Sequence, residues 1–122
     1  MSYGKRSRKL PYANVRRASH YLAKKGVKEA YVFGSGLKRA NLKHDLDIVV
    51  DVPPSSKNKR KFDDATDYGI DLFLLDPSDF LFSVGLNEFL YDDNGELRGL
   101  EDVKARRFSV VNKKYQKSPT QL

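Results

Sequence analysis

EAYVFGSGLKRANLKHDLDIVVDV, residues 29–52, contains most of what decides the fold. EAYVF at 29–33 is a short β-prone run, cut off by Gly34-Ser35-Gly36, so a strand delivers the chain into a glycine-rich turn. LKRANLKH at 37–44 has the composition for about two turns of helix. LDIVVDV at 46–52 is a second strand, rich in β-branched residues and ended by Pro53-Pro54.

Working outward, YGIDLFLLD at 68–76 reads as a third strand whose only polar interruption is Asp71. Upstream, Pro11 opens a helix through about Lys25, with Val15, Ala18 and Leu22 on one stripe and Gly26 as its stop. The polar run PSSKNKRKFDDATD at 54–67 is expected as a surface loop or hairpin connection. After Asp76-Pro77 a short helix around 78–86 is expected, capped by Asp76 or Ser78. NEFLY at 87–91 follows as a strand or irregular segment closing at the DDNG turn, 92–95. A C-terminal helix from about 100 to 115 would pack Val103, Phe108, Val111 and Tyr115. The expected class is α/β (α+β), a small mixed sheet flanked by helices. It forms one domain over 11–117, after a flexible basic arm at 1–10 and before a frayed tail at 118–122.

Composition narrows the chemistry. The chain has no cysteine, which removes disulfides, thiolate nucleophiles and Cys-type zinc sites and leaves oxygen or histidine to hold any metal. Apolar runs such as IDLFLL at 70–75 are far too short to span a bilayer, and no apolar h-region follows the basic N-terminus. The expectation is a soluble, cytoplasmic protein with no membrane partner. A formal charge of +7 favours a polyanion or a phosphorylated small molecule as partner, although solvated basic ends explain much of the excess equally well.

Three carboxylates lie at strand positions where charge is costly unless compensated: Asp45, Asp47 and Asp71. Asp45 and Asp47, one residue apart, project from the same face of a strand while Leu46 and Ile48 point to the core. Like charges on one face are expected where a divalent cation sits between them, and Asp71 on the neighbouring strand would complete an oxygen cage. Such a cage suits Mg2+ or Mn2+ better than zinc. The Gly34-Ser35 turn offers backbone N–H groups and a hydroxyl to phosphate oxygens, with Lys38 and Arg39 placed to help neutralise them.

Phe33-Gly34-Ser35, nine residues, Asp45-Leu46-Asp47-Ile48, and later Ile70-Asp71-Leu72 together resemble the signature of the DNA polymerase beta superfamily of nucleotidyltransferases. In a chain this short the resemblance is to the minimal nucleotidyltransferase (MNT) type, with its polymerase beta palm-like fold. It implies Gly34, Ser35, Lys38 and Arg39 at the nucleotide, and Asp45, Asp47 and Asp71 as catalytic metal ligands. Asp71 would also position or deprotonate the acceptor hydroxyl. The implied reaction is transfer of a nucleoside monophosphate from an NTP, ATP first among them, with release of pyrophosphate. Minimal members often act with a helical HEPN-type protein as a toxin–antitoxin pair, adding AMP to the toxin, while other branches modify small molecules or extend RNA. Gly36, Arg39-Ala40 and His44 stand where minimal members usually carry a basic residue, a further glycine and a serine, so nucleotide preference and subfamily stay open.

The competing reading is a catalytically silent module of the same fold that binds nucleic acid or a partner protein through its basic ends. Lys57, Lys59, Arg60 and Lys61 read either as a solvated loop or as a cover over an acidic substrate or RNA. Asp63, Asp64 and Asp67 lack EF-hand spacing, and His20 reads as a packing residue.

Overall fold

The three apolar runs form the strands their composition favours. In the computed structural model, which describes residues 13–34 and 46–110, they are β1 (Glu29–Phe33), β2 (Leu46–Val50) and β3 (Ile70–Leu75). Three shorter strands join them, β4 (Leu81–Ser83), β5 (Glu88–Phe89) and β6 (Arg106–Ser109), in a six-stranded sheet of order β5-β4-β3-β2-β1-β6. Only β2 and β3 run parallel; every other neighbouring pair is antiparallel. The architecture is a small mixed α+β fold.

A parallel pair requires a crossover, because the chain must return to the starting end of the sheet before the second strand begins. Here the polar stretch expected as a loop is that crossover, and it is structured: α2 (Ser56–Lys61) is followed by a 3-10 helix, Ala65–Tyr68. Ser55 starts α2 by accepting the Asn58 N–H at 3.1 Å on its hydroxyl. Phe62, 1% exposed, and Ala65, 3% exposed, pin the crossover onto the sheet. Two well-placed apolar residues outweigh the polar majority, since one buried aromatic contributes about 2–3 kcal/mol.

The helix α1 (Ala13–Lys24) covers the same face. Its Ala18, Tyr21 and Leu22 pack with Phe62 and Ala65 against Ala30, Val32, Ile48, Leu72 and Leu74; the Val15 side chain lies outside the described residues. Gly26 ends the helix at φ +81°, a left-handed conformation that costs glycine nothing. The Tyr21 hydroxyl donates to Asp64 Oδ1 at 2.6 Å, and Lys25 Nζ stands 3.4 Å from the same oxygen. Burial, then the bond to Asp64, pushes the Tyr21 hydroxyl well above its ordinary pKa, and that bond, with Lys25, holds the Asp64 carboxyl below its own.

Two expected helices are strands instead. At 78–86, Asp76 Oδ1 accepts the N–H groups of Ser78 (2.9 Å) and Phe80 (2.8 Å), closing a tight loop that sends β4 back antiparallel to β3. Leu81 and Phe82 then bury on opposite faces, which a strand permits and one helix stripe does not. At 100–115, residues 100–104 form turns and 106–109 pair as β6 with β1, satisfying an edge that would otherwise stay open. Val111 and Tyr115 lie outside the described residues, as do the basic arm at 1–10, the expected helix at 37–44 and the tail at 118–122. NEFLY contains β5, and the DDNG turn forms with Gly95 at φ +79°.

The second face of the sheet carries Phe33, Val49, Phe73, Leu75 and Leu81. It is covered by Leu90, Leu100, Val103 and Ala105, from the segment between β5 and β6. Val103 packs as expected, but from a turn. Among the described residues no helix is long and apolar enough to cross a membrane.

Candidate active site

Strand alternation places Asp47 and Asp71 on the second face, in line with Val49 and Phe73. The register of β2 and β3 pairs Asp47 directly with Asp71. Neighbouring strands are about 4.8 Å apart, so two half-buried carboxylates stand side by side at the start of both strands. A backbone bond from the Leu46 N–H to the Gly69 carbonyl, 2.9 Å, extends this ladder one step beyond the pair and fixes the two Cα positions.

The exit of β1 reaches the same place. Phe33 is the antiparallel partner of Asp47, and Gly34 follows at φ +74°. A Cβ built on Gly34 would lie 2.5 Å from Asp47 Oδ2. Glycine is therefore required twice, for the left-handed turn and for the approach of the carboxylate to the backbone. The sequence signalled Gly34 as a phosphate-turn residue; its fit against Asp47 had no sequence signal.

One further element borders the site. The β3–β4 ladder continues through the Val84 N–H to the Leu72 carbonyl at 3.0 Å, which carries the β4–β5 turn to the Asp71 end of the sheet. Ser83, 1% exposed, accepts the Leu86 N–H at 3.1 Å and shapes that turn, leaving Leu86 exposed at its tip. Nothing in the sequence marked Ser83 or Leu86.

Of the candidate residues, Gly34, Asp47 and Asp71 are brought together; Ser35, Lys38, Arg39, His44 and Asp45 lie outside the described residues. Among the described residues no group of three or more His, Cys, Asp or Glu side chains is placed to hold a metal ion. The donor set that is described is two adjacent carboxylates, and Mg2+ is commonly held by one or two carboxylates together with waters and substrate phosphates. The residues present therefore fit such an ion. No protein-family model, curated protein or solved structure matches the chain.

Proposed function

We propose that this chain is a divalent-cation-dependent nucleotidyltransferase of the polymerase beta type. The reading is supported chiefly by one observation: Asp47 and Asp71 are register partners on parallel strands, with the Gly34 turn packed on Asp47. In the order Gly-Ser turn, paired acids, later acid, these are the groups a phosphate-bearing substrate and its cation need. Asp45, Asp47 and Asp71 would hold Mg2+ or Mn2+, and the bound cation would supply charge neutralisation at the triphosphate.

Gly34 and Ser35 hold phosphate oxygens, and Lys38 and Arg39 offset their charge. Asp71 takes the proton of the acceptor hydroxyl as the hydroxyl oxygen bonds the α-phosphorus. The bond from that phosphorus to the bridging α–β oxygen breaks, and pyrophosphate leaves. Catalysis of this kind is mainly positioning and electrostatics. ATP is the proposed donor, and a HEPN-type partner protein the first acceptor to try.

The test is incubation with each α-labelled NTP and Mg2+ or Mn2+, with and without candidate acceptors. Label should transfer with release of pyrophosphate, and Asp47→Asn or Asp71→Asn should lower the rate on the order of 10³-fold, the loss of about 4 kcal/mol of transition-state stabilisation. Thermal midpoints of both variants should stay near that of the parent. No transfer and no NTP-dependent thermal shift with any of the four nucleotides would remove the enzyme reading in favour of the silent binding module.

A further inference from the structure

Formal charge is unevenly divided along this chain. Residues 90–105, which supply the cover of the carboxylate-bearing face, contain five Asp and Glu but two Lys and Arg, a net −3. The rest of the chain carries 21 Lys and Arg against eleven Asp and Glu, a net +10. Within the described residues the densest cationic element is α2, SKNKRK, with four cations and no acid in six residues. It packs on the opposite face of the sheet from the acidic segment, anchored through Phe62 and Ala65.

The four cations are not equivalent. Lys59 is half-buried and its Nζ lies 4.5 Å from the centroid of the Phe82 ring, so it serves packing and a cation–π contact. Lys57, Arg60 and Lys61 are exposed and stand at i, i+3 and i+4, on one side of the helix, Lys61 with its Nζ also 5.5 Å from the centroid of the Phe62 ring. Neither ion pair among the described residues involves them. Helix stability accounts for part of this set, because cations in the last turn complement the dipole. It does not account for Lys57, a cation in a first turn that contains no acid, where the dipole opposes it.

We infer that Lys57, Arg60 and Lys61 form a surface that binds the phosphodiester backbone of a nucleic acid. Charge density selects this partner. The three cations span about 6 Å of helix axis, close to the spacing of three or four phosphates on a duplex, one per about 1.7 Å. An acidic peptide in extended form presents at most one carboxylate per about 6.6 Å on a given face. The acidic segment on the far face repels the same polyanion, so approach is directed to the helix side.

Binding is measured by anisotropy with labelled 20-nucleotide RNA, single-stranded DNA and duplex DNA, without NTP or divalent cation, across 50–200 mM salt. Lys57→Gln/Arg60→Gln/Lys61→Gln should weaken single-strand binding on the order of 50-fold at 0.15 M salt and reduce the slope of log affinity against log salt by about 2 for single strands and about 2.7 for the duplex. The remaining basic residues give a background that the variant retains, so the change in slope is the readout. Lys57→Arg/Arg60→Lys/Lys61→Arg should bind like the parent, as should Asp47→Asn, which separates this surface from the proposed active site. Binding of RNA, DNA or both supports the inference and identifies the nucleic acid. It is overturned if no probe binds, if the Gln variant keeps the parent slope at an unchanged thermal midpoint, or if polyglutamate competes as well as unlabelled RNA. Should the triple variant fold poorly, Lys57→Gln alone should still lower the slope by about 0.7 for single strands.

Discussion

The two faces of this sheet are built from the same strands and covered differently. Among the described residues, α1 and the α2 crossover close one face over a continuous core of fourteen buried residues, and on the other five buried residues lie under turns between β5 and β6. Helices satisfy their own backbone bonds and can be laid as a rigid apolar lid, whereas a loop cover is held by scattered contacts. Among the described residues, the face with the lighter cover is the one that carries the half-buried Asp47 and Asp71 at its end. Among the described residues the larger buried cluster lies on the helix side and the two carboxylates on the other, a division that predicts unequal stability of the two faces.

Adjacent leucines on β3 test that division most strongly. Leu74→Ala, on the helix side, should destabilise by about 4–5 kcal/mol and Leu75→Ala, on the loop side, by about 2–3 kcal/mol, because the loop cover can collapse into the space left. Urea unfolding measures both, and equal losses would erase the distinction between the faces.

Gly34→Ala probes the site itself. The left-handed backbone costs about 1–2 kcal/mol with a Cβ, and the methyl must displace the Asp47 carboxylate. A total near 2–3 kcal/mol is expected on those grounds. In a double-mutant cycle with Asp47→Ala, a coupling of about 1 kcal/mol should appear; additive losses would mean that the two groups do not press on each other.

The smallest effect belongs to the tie between α1 and the crossover. Tyr21→Phe should cost about 1 kcal/mol, a loss that depends on pH. Asp64 is held below its ordinary value, so its contribution is present above about pH 3.9 and is lost as the pH falls through the folded value. Tyr21 is raised, so its contribution is present below about pH 10 and is lost as the pH rises beyond it. The stability difference between parent and variant should therefore be flat in between and shrink at both ends; a flat profile below pH 4 would show that Asp64 is not the partner that matters.

The parts legible in the sequence were those whose signal is local. EAYVF, LDIVV and IDLFLL are strands because apolar and β-branched runs of that length have few alternatives, and Gly26 and DDNG terminate elements through backbone conformations few other residues accept. The misjudged elements were those whose state depends on a distant partner. SKNKRK looks like loop until Phe62 finds the sheet, and RRFS forms a strand only because β1 offers it an edge. Residues 81–83 follow the same rule, since their pairing with β3 overrides a local pattern that also fits a short helix.

By itself, the sequence determined which residue types were available: no thiol, a strongly basic balance, a glycine turn after a β-prone run, and acids placed inside apolar strands. The two-residue period of a strand predicts that Asp45 and Asp47 share a face, although Asp45 lies outside the described residues. The sequence named Asp71 as the later acid but did not contain the register that brings it level with Asp47. The parallel register of β2 and β3, which sets Asp71 beside Asp47, and the packing of Gly34 on that carboxylate were decided by the tertiary structure. Register is an energy balance over the whole buried face, so no short stretch of sequence contains it.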